Sequence, residues 1–278
     1  MSVRKNRSVR KRLDALRAMG RRAICQFIIA GDPDPEINLQ LIETSIATGV
    51  DVFEFCIPFK RSITDGPTIR SGYARALAAG VTVEQAFALM SEAAKRAPVV
   101  CLADFRETVR PLGIDLFLDK AHVHGAGAVL IHGLPPLMQQ EFSHACAAKG
   151  LEQVGTVYSN SPEHTLRQSC ANASAFLYLV STFGKSGGNL DLSMLGDTIK
   201  RIKAVYDGPV AVGFGLKTPA DHLAVLRKGA DMTIMGSTLT AVIEKTAGNP
   251  KALFEAWETT LLGIVKARNA FHKRESVL

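Results

Sequence analysis

The sequence predicts a (β/α)8 barrel, and three observations carry that expectation. Short runs of buried-type residues alternate with segments of helical period eight times over along the 278 residues. The junctions carry turn and cap chemistry, as in Gly31-Asp32-Pro33-Asp34-Pro35 and in the prolines placed to open helices. At 47% hydrophobic the chain can bury one large core, and α/β barrels of this length stay single domains. An open doubly wound sheet uses the same alternation and stands as the alternative, because strand order is invisible in the pattern.

The first strand covers 23–29 and stops at the Gly-Asp-Pro turn; 36–47 follows with Ile37, Leu41, Ile42 and Ile46 at helical spacing. Strand two covers 52–57 and ends at Pro58, which cannot donate to a ladder. Helices over 69–79 and 83–94 lead to strand three at 98–103, and a helix over 114–124 leads to strand four at 128–131. Pro136 opens a helix to 149, strand five covers 153–157, and Ser161-Pro162-Glu163 reads as an N-cap followed by proline at the first turn. Strand six (175–180), a helix (192–205), strand seven (209–213), a helix capped by Thr218 (218–228), strand eight (232–235) and a helix (238–245) complete the pattern. A further amphipathic helix covers 250–270. Residues 1–22 read as a basic helix lying over one end of the fold, and 23–278 as a single barrel domain including that last helix.

The formal net charge is +7, with Arg4, Lys5, Arg7, Arg10, Lys11, Arg12, Arg17, Arg21 and Arg22 crowded near the start. No aromatic residues are interleaved there for base stacking, so the segment reads as a solvated helix and not as a nucleic-acid arm. No apolar run reaches the length of a membrane span and the start lacks an apolar signal core, so a cytoplasmic protein is expected. Five cysteines, an odd number with no CxxC pair and no histidine at zinc spacing, read as reduced thiols with no metal.

Glu54 stands inside the apolar run of strand two. Burying an ionised carboxylate is very unfavourable, so it is either held in a structural ion pair or aimed at a cavity that uses its shifted pKa. In a barrel, the C-terminal ends of strands carry function, which places Glu54 on the functional side. Three glycine-bearing loops follow strands six, seven and eight: Gly184-Lys185-Ser186-Gly187-Gly188, Gly213-Phe214-Gly215-Leu216-Lys217 and Gly236-Ser237. Backbone N–H groups approach an anion closely at glycine, and the last strand ends of barrels with a helix N-terminus form phosphate sites. A phosphorylated small molecule is the expected substrate class.

Nearly the whole chain resembles the α subunit of tryptophan synthase and its stand-alone relatives, the indole-3-glycerol-phosphate lyases. That family's pattern E-L-G-I-P-F-S-D-P-x-A-D-G-P meets Glu54-Phe55-Cys56-Ile57-Pro58-Phe59 and, at the same spacing, Asp65-Gly66-Pro67. Phe27 with Gly31-Asp32-Pro33, Arg75-Ala76-Leu77-Ala78-Ala79-Gly80, Tyr178 and Ala211-Val212-Gly213-Phe214-Gly215 also resemble the family. The resemblance implies retro-aldol cleavage of indole-3-glycerol phosphate to indole and glyceraldehyde 3-phosphate, without metal or organic cofactor. It implies Glu54 as general acid and base, Asp65 on the indole N–H, and Tyr178 lining the pocket beside Glu54. Gly187, Gly188, Gly215, Leu216, Gly236 and Ser237 fall at the implied phosphate site. Phe27, Phe105, Glu107, Leu130, His132, Ser186, Phe214 and Ile234 fall at the implied substrate pocket.

The departures are as informative. Lys60-Arg61-Ser62 replaces the Ser-Asp-Pro that contacts the β subunit in the family, which argues against ordinary β coupling. Glu107 stands for an amide facing the site, His132 for a small residue, Thr182 for an arginine, and Gly184-Lys185-Ser186-Gly187 for a mobile Gly-Val-Thr-Gly. His132 is either a loop histidine turned to solvent or a polar group in the pocket, and Glu107 is either a pocket group or a rim partner of Arg106 or Arg110. Three functions fit: the stand-alone lyase, an aldolase or isomerase for a more polar phosphorylated substrate, and a non-catalytic partner of a β-like subunit.

Overall fold

The computed structural model describes residues 7–180, 192, 194–246 and 248–275. The first half runs α1 (Val9–Ala18), β1 (Ala23–Ile29), α2 (Pro35–Thr48), β2 (Val52–Cys56), α3 (Pro67–Ala78), α4 (Val83–Ala94), β3 (Val99–Asp104), α5 (Arg110–Leu112), α6 (Ile114–Val123) and β4 (Ala128–His132). The second half runs α7 (Gln139–Ala148), β5 (Glu152–Gln153), β6 (Gly155–Tyr158), α8 (Glu163–Asn172), β7 (Leu177–Val180), α9 (Leu195–Lys203), β8 (Val210–Val212), α10 (Pro219–Arg227), β9 (Met232–Met235), α11 (Ser237–Lys245) and α12 (Pro250–Glu275).

All pairings are parallel, in the order β5-β4-β3-β2-β1-β9-β8-β7-β6. β5 and β6 are two halves of one extended run that changes neighbour at Val154. The Val154 N–H donates to the Val129 carbonyl at 3.0 Å, and the next N–H, of Gly155, donates to the Phe176 carbonyl at 3.1 Å. That handover joins the two ends of the sheet into a ring of eight barrel strands, which excludes the open doubly wound sheet. Strands this deeply covered read as unbroken apolar runs; all seven residues of β1 and all five of β2 are buried.

The ends of several elements differ from the sequence expectation for local reasons. A π-helical turn at Phe105–Val109 and the short α5 fill the segment after β3, where the Asp104 carboxylate accepts the Glu107 N–H at 2.9 Å. Ser161 does not cap α8: its hydroxyl accepts the Tyr158 N–H at 3.0 Å, closing the turn after β6, and Pro162 stands at the cap position. Thr218 caps α10 in a reciprocal capping box with Asp221.

The basic α1 covers the N-terminal end of the barrel. Val9, Leu13 and Leu16 are buried, the Ser8 hydroxyl caps the helix and donates to Glu152, and the Arg10 N–H donates to the same carboxylate at 2.9 Å. The Arg7 carbonyl lies directly against Gly127, where a Cβ has no room. Below β2, Asp51 accepts the Arg268 guanidinium at 2.6 Å, that of Arg12 at 2.8 Å and the Ile24 N–H at 3.1 Å. Trp257 of α12 is fully buried and donates to the Ser45 hydroxyl of α2 at 3.0 Å. No helix among the described residues is long and apolar enough to cross a membrane.

Candidate active site

β2 carries Glu54 toward the barrel axis near its C-terminal end, in register with Phe27 of β1 and Val100 of β3. The carboxyl is 2% exposed, forms no ion pair among the described residues, and leaves Oε1 without a hydrogen-bond partner there. Burial, reinforced by the negative charge of Asp65, raises its pKa to about 8. Glu54 is therefore largely protonated at neutral pH, and the structural ion-pair reading has no cation among the described residues to support it.

Asp65 is held by hydroxyl groups. It lies on the loop between β2 and α3, directly before the helix N-cap Gly66, whose partial positive charge suits a carboxylate. The Ser62 hydroxyl donates to Asp65 Oδ2 at 2.6 Å, and the buried Tyr73 phenol donates to the same atom at 3.0 Å. The Asp65 N–H returns to Ser62 Oγ at 3.1 Å, closing a small loop of bonds. Tyr73 is itself fixed by packing on Phe59, ring centroids 4.6 Å apart.

Both carboxyl groups line one cavity that opens at the C-terminal end of the barrel. His132 and Tyr178 complete its polar wall, and Phe27, Phe214 and Ile234 supply apolar surface. Gly215, Gly236 and Ser237 line it where β8 and β9 end, at the start of α11. The Thr238 hydroxyl ties that helix start to the Leu216 carbonyl at 3.1 Å, so the two glycine loops are held together. Gly213 lets Tyr178 lie against the backbone, because a Cβ there would collide with the phenol oxygen. The Tyr178 ring also packs on Phe214 at 5.6 Å, but its hydroxyl makes no hydrogen bond to Glu54.

The other expected positions divide. Leu130 faces an adjoining cavity, while Phe105 and Leu216 are buried and do not line the main one. Glu107 points away from the cavity to the rim: its carboxylate accepts the Lys60 N–H at 3.1 Å and pairs with Arg61 at 3.5 Å, in place of Arg106 or Arg110. Two separate departures from the family pattern thus touch one another. Ser186, Gly187 and Gly188, with Thr182, Gly184 and Lys185, lie outside the described residues. His132 ends β4 opposite Asp104 and lines the cavity half-buried, with no partner for Nδ1 among the described residues. The sequence marks Ser62 only as a departure at the expected β-subunit contact and does not single out Tyr73, Ile69 or Leu102; Tyr73 shares the inner stripe of its helix with Ile69, and a phenol at that position is the available signal.

The family model for the tryptophan synthase alpha chain matches residues 13–267. This chain belongs to the tryptophan synthase α family. Within that family, the tryptophan synthase alpha chain of Nitrosococcus oceani is 30% identical over 251 residues, covering 89% of this chain and 92% of its own. That of Picosynechococcus sp. is 33% identical over 247 residues, covering 87% and 92%. The crystal structure of tryptophan synthase subunit alpha from Legionella pneumophila superposes with a TM-score of 0.86 at 27% identity, covering 96% of this chain and 99% of that one. Membership makes the chain a carbon–carbon lyase of the tryptophan synthase α type with a TIM-barrel fold.

Proposed function

We infer that the chain cleaves indole-3-glycerol phosphate to indole and glyceraldehyde 3-phosphate, with Glu54 moving the proton and Asp65 stabilising the ring cation. The observation that carries this reading is the pairing of a buried carboxyl with pKa about 8 and a hydroxyl-held carboxylate in one cavity. Protonated Glu54 delivers its proton to the ring carbon bearing the glycerol chain, which makes the ring cationic at its N–H. Asp65 hydrogen-bonds that N–H and offsets the charge. Ionised Glu54 then accepts the proton of the hydroxyl on the adjacent carbon. The aldehyde carbonyl forms, the carbon–carbon bond breaks, and its electron pair returns to the ring. Phosphate would be held by backbone N–H groups near Gly215, Gly236 and Ser237, where a helix begins.

The same reading includes independence from a β subunit. The β2–α3 loop that carries Asp65 is fastened within the chain, by Glu107 to Lys60 and Arg61 and by Ser62 to Asp65. A loop ordered from inside has less need of a partner to order it. Indole release by the purified chain alone tests the proposal, with Glu54→Gln and Asp65→Asn as controls. Release that both variants abolish supports it, and no release by the wild type overturns it. Pull-down with a β subunit is expected to capture little or none of the chain; tight capture with a large rise in rate would restore ordinary coupling.

A further inference from the structure

We propose that His132 is a specificity residue for the far edge of the aglycone, and that the natural substrate is an indole-type glycerol phosphate bearing a hydroxyl on that edge. The proposal rests on the lyase reading above. It starts from an atom that an unsubstituted indole leaves unsatisfied: His132 Nδ1 is enclosed, has no hydrogen-bond partner among the described residues, and its ring lines the cavity that holds Glu54 and Asp65. A buried polar atom without a partner is costly, and a bound ligand that supplies one recovers that cost.

The placement selects the edge. β4 is the fourth barrel strand and β9 the eighth, so His132 stands across the ring from the glycine end near Gly236 and Ser237. A substrate with its phosphate at that end and its reacting carbon at Glu54 presents the remote edge of its ring to β4. There is room for a substituent: beyond His132, Tyr178 and Phe214 a second cavity of about 340 Å³ opens toward solvent. Its wall includes Gln139 and Gln153, joined where Gln153 Nε2 donates to Gln139 Oε1 at 3.4 Å, and Gln153 Oε1 accepts the Ser143 hydroxyl behind them at 2.6 Å.

The chemistry narrows the substituent. Burial pulls the His132 pKa down, against the opposing charges of Asp65 and Asp104, so the ring is neutral at pH 7. A neutral imidazole has one donor and one acceptor nitrogen, and a hydroxyl satisfies either tautomer. A methyl group satisfies neither. Sites built to hydrogen-bond a hydroxyl discriminate strongly against analogues that lack one, whereas apolar pockets discriminate weakly between shapes.

The test compares kcat/KM for hydroxyl- and methyl-substituted indole-3-glycerol phosphates in the wild type, His132→Ala and His132→Gln. The wild type is expected to favour one ring-hydroxylated substrate over its methyl counterpart by roughly 10- to 100-fold. His132→Ala should bring that ratio near one, and His132→Gln should retain part of it. A wild-type ratio at or below one, or a ratio unchanged in His132→Ala, overturns the proposal. If no such substrate is cleaved at all, the lyase reading fails separately. Calorimetric binding of a hydroxyindole against a methylindole, with glycerol 3-phosphate present, then decides: tighter hydroxyindole binding that is lost in His132→Ala supports the assignment, and equal binding overturns it. Should His132→Ala not fold, His132→Gln takes its place: a ratio lowered from the wild type's supports the proposal, and an unchanged ratio overturns it.

Discussion

Asp51 and Glu54 are three positions apart at one strand, both acidic and both buried, yet the two ends of the barrel treat them in opposite ways. At the N-terminal end, Asp51 receives two guanidinium groups and a backbone N–H, and Asp231 receives Lys203 at 3.1 Å, Arg22 at 3.4 Å and the Val210 N–H at 3.0 Å. At the C-terminal end, Glu54 receives no cation among the described residues, and the partners described for Asp65 are hydroxyl groups. Paired charges fix geometry. A carboxyl deprived of a counter-charge holds its proton, and a proton held at about pH 8 is a reagent at pH 7.

The largest expected effect tests the reactive end: Glu54→Gln should lower kcat/KM by about 10³-fold while leaving the fold intact by circular dichroism. Retained turnover in that variant would break the contrast. The structural end responds in stability: Asp51→Asn leaves Arg268, only 4% exposed on its side chain, as a buried charge with its carboxylate gone. Urea unfolding should show a loss of about 3–5 kcal/mol, with turnover per folded molecule unchanged.

pH sharpens the same contrast. Glu54 has a raised folded pKa, so between about 4.5, its ordinary value, and about 8 the native state keeps a proton that the unfolded chain has released. Stability contributed by this group is complete at low pH and is lost as pH rises through that window. The melting temperature of Glu54→Gln should therefore gain on the wild type from pH 5 to pH 8, and wild-type activity should decline above about pH 8. A constant difference in melting temperature across that range would contradict the assignment.

Smaller effects probe the supports of Asp65. Tyr73→Phe removes one hydroxyl from a carboxylate and should lower kcat by roughly tenfold with little change in KM, since a hydrogen bond to a charged group is worth about 1.5–3 kcal/mol. Glu107→Gln weakens a rim contact with Arg61, whose side chain is 86% exposed, and should change kcat/KM by no more than about fivefold, an exposed pair being worth about 0–1 kcal/mol.

β1, β2, β3, β8 and β9 were legible in the sequence because each is buried throughout and so reads as an apolar run with sharp ends. Glu54 was legible for the same reason: it interrupts such a run. Beyond the strand ends legibility falls, since residue type no longer fixes direction. Glu107 reads equally as a pocket group or as a rim partner of Arg106 or Arg110 until a π-helical turn after β3 carries it to the rim, and its contact with Lys60 links residues 47 apart. Tyr73 looks like helix core in sequence and becomes a support of Asp65 only through the fold. Val154, where one strand serves two neighbours and closes the ring, has no mark in the sequence at all.

The bonds from α12 back to the second βα unit set an order for making the protein. Trp257 reaches Ser45 across 212 residues, and Arg268 reaches Asp51 across 217. Contacts so distant along the chain close late, because loop entropy must be lost before they form. A nascent chain on the ribosome therefore carries Asp51 without its buried guanidinium, and the Trp257 site unfilled, until α12 has been made. A polypeptide stalled before α12 leaves both sites open and is the natural client of a holding chaperone.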